Sequence, residues 1–384
     1  MRRRLIIIGI ALGLSLTASC GWPVHAREVE QLQLIQTLGY DVQPGGVTVS
    51  ASSGPQPGGG DPVRLAARGG SIPEAVQALQ HWSAREELLF SHVRFVLMGE
   101  AAARRGAAPL LDYFQRTSQT PMNLPLLVVK GGSARDLTES GDPDYEITAL
   151  LASLREDSQR TGAPRCFTVL DTARRLSRSG AALCCAVELL PPGENVPSAE
   201  EDALCAVPAG YAVLKEGKLA GYLDTETALG ADLLLGISGP AVLTLPAGAG
   251  AVTVALREAK TVLTPRWEPE PGLVLAAELR VSAGILQAEG ADPADPRTLR
   301  DVDAALSRAL QTRAEAALAA SRETGADFLE LGALFALRGG GLPRPSSPEA
   351  LLSALTWQVR VDAAAERSYD LEGTVPVAGG EAEP

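Results

Sequence analysis

Residues that do chemistry are scarce in this chain. Histidine occurs three times in 384 residues, as His25, His81 and His92, and none forms the paired-His motif that zinc hydrolases place on a helix. Aromatic residues make up only 4% of the chain, so a core must be assembled from Leu, Val and Ala. Basic residues are outnumbered, 34 Lys and Arg against 46 Asp and Glu, and the net charge of −12 repels phosphate backbones. Nucleic acid is therefore excluded as an expected partner. Long apolar runs are missing after the first 20 residues, and every later stretch is interrupted by charge, Pro or Gly well short of the ~17–25 residues that span a bilayer.

Motifs for covalent or phosphate chemistry are also wanting. Gly236-Ile237-Ser238-Gly239-Pro240 approaches the Gly-x-Ser-x-Gly nucleophile elbow but carries Pro where the final Gly belongs. Gly131-Gly132-Ser133 follows an apolar strand and could face an anion. It has no P-loop lysine at the required spacing and reads as a tight turn. His92 sits in an apolar stretch, which predicts a hydrogen-bonded core histidine rather than a base. Nothing assembles a nucleophile, a base and an orienting acid, so no catalytic, cofactor-binding or metal-binding residue is assigned and the chain is not expected to be an enzyme.

What is present at the amino end points to export. Arg2, Arg3 and Arg4 precede a charge-free run, Leu5 to Leu16, of signal-peptide length. Leu16-Thr17-Ala18-Ser19-Cys20 then reads as a lipobox, predicting a diacylglyceryl and N-acyl anchor on Cys20. Val24-His25-Ala26 is a competing site for ordinary signal peptidase, which would release a protein beginning at Arg27. Two acyl chains hold a protein stably on a bilayer where one gives marginal binding. Loss of residues 1–19 removes three arginines and no acid, moving the net charge to −15. Export permits disulfides, but Cys166, Cys184, Cys185 and Cys205 allow three connectivities that sequence does not rank. Cys184 and Cys185 are neighbours in a strand-like segment and point to opposite faces, which disfavours a shared metal and favours buried thiols or one disulfide.

The pattern along the chain predicts an α+β protein, and its length predicts two or three domains. A helical stripe covers 27–38 and stops at Gly39. Val47–Val49 reads as a strand, and the capping pattern Ser71-Ile72-Pro73-Glu74 starts a helix that runs to Trp82. Leu88–Met98 reads as a buried strand, 101–105 and 109–116 as helices, 125–129 as a strand, 145–156 and 169–177 as helices, and 182–189 as a strand. Pro191 to Asp202 marks a loop or boundary. Two apolar runs around Lys215-Glu216-Gly217-Lys218 predict a hairpin over 211–223. Val242–Leu256 and Leu273–Leu286 are β-rich, 298–323 is a long Ala-rich helix, and residues from Leu355 to Ala363 alternate as a half-buried strand does. These readings divide the chain into a signal peptide (1–19), an N-terminal α+β unit (20–205), a small β-rich middle unit (206–265), a C-terminal α+β unit (266–376) and a disordered tail (377–384).

Several stretches, in order and at matching spacing, resemble the Ger(x)C family, the lipoprotein C subunits of spore nutrient-germinant receptors. They are Ser71-Ile72-Pro73-Glu74-Ala75, the run from Phe90 through Ser91, His92 and Met98 to Gly99-Glu100, and Ala103-Arg104-Arg105-Gly106. Leu110-Leu111-Asp112-Tyr113-Phe114 and Leu127-Val128-Val129-Lys130-Gly131 continue the match. Arg27-Glu28-Val29 and Leu38–Asp41 resemble the segment after the lipidated cysteine, 210–223 with Gly221 the family's hairpin, and Gly325 to Gly332 with Asp327 the segment after its long helix. In the family Trp and Asp directly follow the cysteine, whereas here Gly21 intervenes and Pro23 follows Trp22. The resemblance implies an α+β fold of three domains, built around mixed sheets packed with helices, and a non-catalytic role. It further implies a place on the outer face of the spore inner membrane, beside a membrane-embedded A-type subunit and a transporter-like B-type subunit. Ser91, His92, Gly99, Glu100, Gly106, Asp112, Lys130, Gly221, Asp327 and Gly332 are the signature positions it singles out, as structural rather than catalytic residues. The rival reading is a solute-binding or sensory lipoprotein unrelated to germination.

Overall fold

A computed structural model of the chain describes residues 32–54, 62–83, 87–139, 147, 151–152, 155–156, 164–191, 205–237, 239–248, 250–338, 340–343 and 345–366. In chain order the first strands are β1 (Leu32–Leu34), β2 (Thr37–Gln43), β3 (Gly46–Ser52) and β4 (Arg64–Gly69), followed by helix α1 (Ile72–Trp82) and β5 (Glu87–Leu89). Next come β6 (Phe95–Gly99), α2 (Glu100–Arg105), α3 (Ala108–Arg116), β7 (Leu126–Lys130), α4 (Ala134–Glu139), α5 (Val169–Ser179), β8 (Ala181–Leu190), β9 (Cys205–Lys215) and β10 (Lys218–Leu223). The remainder is α6 (Thr225–Leu234), β11 (Val242–Ala247), β12 (Gly250–Glu268), β13 (Gly272–Glu289), α7 (Pro296–Thr324), α8 (Leu331–Arg338), α9 (Pro348–Ala354) and β14 (Thr356–Glu366).

Two large mixed sheets organise these elements, as expected for the α+β class. The first has eight strands in the order β10-β9-β8-β7-β6-β2-β3-β4, with β2, β6, β7 and β8 parallel and antiparallel hairpins at both ends. The second has four, β11-β12-β13-β14, whose long β12–β13 hairpin is joined by β14 in parallel. Because neighbours along a strand face opposite ways, the apolar runs of the central strands feed two cores. Val96, Met98, Val128 and Cys184 pack beneath α1, α3 and α5, while Phe95, Leu97, Val129 and Cys185 face α4. A third core joins Leu183, Tyr211 and Val213 of the first sheet to α6, the inner face of the second sheet and the buried stripe Val302, Leu306, Leu310 and Ala314 of α7.

Helix ends carry the chemistry that the sequence signals. Ser71 Oγ accepts the Glu74 amide, and the Glu74 carboxylate accepts the Gly70 amide at 2.9 Å. Thr168 and Asp171 form a reciprocal capping box on α5, which stops at Gly180 in the left-handed region. Asp295 caps α7 with Pro296 in its first turn, and Gly325 at φ 61° ends it. Helices α6 and α7 cross at Gly230, where a Cβ would collide with the Arg313 carbonyl.

The structure departs from the sequence reading in four places. Where it is described, the segment 27–38 expected to be helical instead enters strands β1 (Leu32–Leu34) and β2 (from Thr37). Leu32, Leu34, Leu38, Tyr40 and Val42 also fit a period of two, and pairing of β2 with both β3 and β6 outweighs local propensity. The single strand expected over 88–98 is two, because a tight turn, Phe90–His92, passes the chain from the β1–β5 pair to the large sheet. Residues 206–223 complete the eight-stranded sheet instead of opening a middle unit, and the expected boundary at 265/266 falls inside β12. Helices α6, α8 and α9 were not anticipated, although Asp224 and Ser347-Pro348 are legible caps. The helix expected over 145–156 and the tail from 377 lie largely or wholly outside the described residues. Of the former, Ile147 and Leu151 are helical and buried.

Candidate functional site

Three of the signature residues, Gly99, Glu100 and Lys130, gather where β6 and β7 end. Strand β6 runs through Gly99 directly into α2, so Glu100 stands at the first turn of that helix. One of its carboxylate oxygens accepts the Gly131 amide at 2.6 Å and the Tyr222 hydroxyl at 2.9 Å, while the other accepts Arg104 at 2.7 Å. Partial burial raises the Glu100 pKa, but the Gly131 amide, Arg104 and Tyr222 outweigh it and hold the group below the usual carboxylate range. Burial and the bond to Glu100 push the Tyr222 phenol well up. Lys130, the last residue of β7, pairs with Glu188 at 3.1 Å and lies 5.9 Å from the centre of the Tyr222 ring. Glu100 thus ties β6, the turn after β7 and the edge strand β10 into one clamp.

A second carboxylate explains Gly99. Asp41, 6% exposed, accepts the Ala134 and Arg135 amides at 2.8 Å each, capping α4 from across the sheet. Burial raises its pKa against the pull of those two amides. A Cβ on Gly99 would overlap the Asp41 carboxylate. The turn 131–133 is consequently no anion cradle. Its Gly131 amide is taken by Glu100, the Ser133 amide by Asp136, and the next two by Asp41.

The C-terminal signature works in the same way. Asp327, 1% exposed, accepts the Leu331 and Gly332 amides at 2.7 Å each, which caps α8. Burial raises its pKa. A Cβ on Gly332 would lie 3.1 Å from the Asp327 carboxylate, tight enough to disturb the cap. Between them Glu330 adopts φ 57°, and its carboxylate meets Arg178 at 2.9 Å and Arg175 at 3.6 Å, joining α5 of the first sheet to the second half of the chain. Gly221 passes close to Thr324 at the end of α7, with room for a Cβ at 3.4 Å.

The remaining signature positions do not converge on these clamps. Ser91 and His92 are exposed on the turn before β6, so the expected core histidine is a surface residue: Phe90 is the residue of that turn that enters the core. Gly106 takes φ 134°, and the following Ala107 amide bonds the Gly217 carbonyl at 2.7 Å, docking α3 on the β9–β10 turn. Asp112 is exposed and paired with Arg116 one turn along α3. Cys20 lies outside the described residues. Cys166, Cys184 and Cys185 are free thiols, and Cys184 and Cys185 point to opposite faces of β8. Cys185 is pushed well up by its bond to Cys166 and by burial. The side chain of Cys205 lies outside the description, as does Ser238. Gly236 ends α6 with φ 71°, which is a helix stop and not the strand-to-helix elbow of a nucleophile. No group of three or more His, Cys, Asp or Glu able to hold a metal occurs among the described residues.

Sequence reasoning missed Asp41, Tyr222, Arg175, Arg178 and Glu330, because each acts on a partner about 90 to 150 residues away. It also missed the buried pair Tyr211–Asp232, in which the phenol donates to the carboxylate at 2.7 Å and accepts the Arg165 amide at 2.7 Å.

Comparison with known proteins agrees with this architecture. A family model described as the spore germination protein N-terminal domain matches residues 25–189, and one described as spore germination B3/GerAC like, C-terminal, matches 209–338. No curated protein matches the chain by sequence. A solved structure titled "Crystal Structure of the GerBC protein" shares the fold at 14% identity, with a TM-score of 0.55 over 85% of this chain and 96% of that one.

Proposed function

Because the chain belongs to the GerAC-like family of spore germination proteins, we propose that it is the non-catalytic C subunit of a spore nutrient germinant receptor, supporting assembly or signalling. The observation that carries the non-catalytic part is the state of its signature carboxylates. The signature carboxylates Glu100 and Asp327, with Asp41 beside Gly99, are each taken by backbone amides of the chain itself, and Asp112 is taken by Arg116, so none of the four is a free acid. Such residues fix the relative position of strands and helices, which is what a docking subunit needs.

In this reading Cys20 carries the diacylglyceryl and N-acyl anchor, on the extracytoplasmic face of the spore inner membrane. Its partners are the A-type and B-type membrane subunits. No helix among the described residues is long and apolar enough to cross a membrane, which fits attachment through lipid. Confinement to a plane raises the effective concentration for membrane partners without any new contact. The test is a Cys20→Ala strain. Nutrient-triggered germination should be impaired, and the A-type and B-type subunits should no longer co-purify with this chain from detergent-solubilised spore membranes. Normal germination and intact co-purification in that strain would refute the anchored-subunit reading.

A further inference from the structure

A crevice of about 950 Å³ opens at the carboxyl end of β2, which runs parallel to β6, between the start of α1 and helix α3. In sheets with parallel strands and crossover helices this is the end where small ligands seat. Val42, Val47, Ile72 and Tyr113 give the crevice an apolar lining. Tyr40 lines it too. That side chain is only 3% exposed, yet its hydroxyl bonds to no described residue. The ring is buried, but the oxygen at its tip is open to the crevice rather than sealed in the core, so it can donate to a molecule seated there.

Charge points the same way. Arg105 and Lys218 stand at the mouth, both exposed, and neither has a carboxylate partner among the described residues. Burial pushes the Tyr40 phenol up, the Arg105 guanidinium opposes that rise, and the Asp41 carboxylate behind it adds to it. Of the two acids on the rim, Asp112 is held by Arg116 at 2.8 Å. Among the lining residues that leaves Glu216 against Arg105 and Lys218, a surplus of one positive charge.

We propose that this crevice binds a small organic carboxylate, with its acid group on Arg105, Lys218 and the Tyr40 hydroxyl and its apolar body against Val42, Val47 and Ile72. The site stands on its own geometry and goes beyond the receptor-subunit reading, so either can fail without the other.

The test is a titration of the full-length protein in a nonionic detergent with 3-phenylpropanoate, followed by ligand-observed NMR, with 3-phenylpropanamide as the uncharged twin. Saturable binding with Kd of about 1 mM or tighter is expected for the acid, and binding at least about tenfold weaker for the amide. Arg105→Gln and Tyr40→Phe should each weaken the acid about tenfold. Arg135→Gln, outside the crevice, should leave it unchanged. Absence of saturable binding, equal affinity for acid and amide, or wild-type affinity in Arg105→Gln would each overturn the proposal. Arg105 is exposed, so that variant decides the matter even where Tyr40→Phe does not fold.

Discussion

Replacing Asp232 with asparagine should stabilise this protein at neutral pH and leave it unchanged in acid. Asp232 is 6% exposed in the core between the two sheets, and the Tyr211 hydroxyl is its hydrogen-bond donor at 2.7 Å. Burial pushes its pKa from 3.8 up to about 7, against the smaller pulls of Tyr211, Arg165 and Arg175. Below about pH 4 the carboxyl is protonated folded and unfolded, and it makes no difference to stability. Between pH 4 and 7 the unfolded chain releases the proton while the folded one keeps it, so stability falls as pH rises. Above pH 7 both states are ionised and the loss levels off. At 1.36 kcal/mol per unit of pKa, a displacement of three units is worth about 4 kcal/mol. Asparagine keeps an acceptor for Tyr211 and cannot ionise. Urea unfolding of both proteins at pH 4, 6 and 8 measures the effect directly, and other titrating groups cancel in the difference. The variant's advantage should grow from near zero to a few kcal/mol across that range. A difference that stays flat from pH 4 to 8 would refute the argument that burial governs this carboxyl.

Gly99→Ala should cost about 2 kcal/mol, since its Cβ overlaps the Asp41 carboxylate and pulls the cap from α4; thermal unfolding reads this, and a wild-type melting temperature would contradict it. Gly230→Ala should cost about 3 kcal/mol by forcing α6 away from the Arg313 carbonyl on α7, whereas Gly340→Ala, with open space around it, should be near neutral in the same assay. Burial pushes Cys184 up to about 12, so at pH 8 only roughly one thiol in ten thousand is ionised. Cys184 should resist a thiol-specific disulfide reagent in the folded protein and react at once in urea; rapid native labelling, mapped by peptide mass, would show the strand to be open.

How much of this was readable beforehand depended on distance along the chain. Ser71, Asp295 and Gly325 announce where α1 and α7 begin and end because a cap bonds amides within a few residues of itself. The same locality made the turn at 216–217 visible between β9 and β10, and the period of two exposed β14. The helix wrongly expected over 27–38 shows the limit, for a few apolar residues fit both periods and only the presence of β3 and β6 on either side decides between them. The signature residues were recognisable as positions but not as devices. Glu100 is an ordinary helix-start acid until Tyr222 arrives from 122 residues away, and Gly99 has no visible reason to be glycine until Asp41 lies across it.

The amino-acid order alone determined the limits of α1 and α7, the alternation of β14, the lack of metal and nucleophile motifs in the sequence, and the family to which the chain belongs. All of these rest on neighbours in the chain or on composition. The three-dimensional fold alone decided that β9 and β10 complete the first sheet, that β12 runs unbroken through an expected boundary, and that Glu100 and Asp41 hold backbone amides of distant segments. The physical reason is that a strand satisfies its amides on another segment of chain, and the choice of that segment depends on burying both faces of the sheet at once.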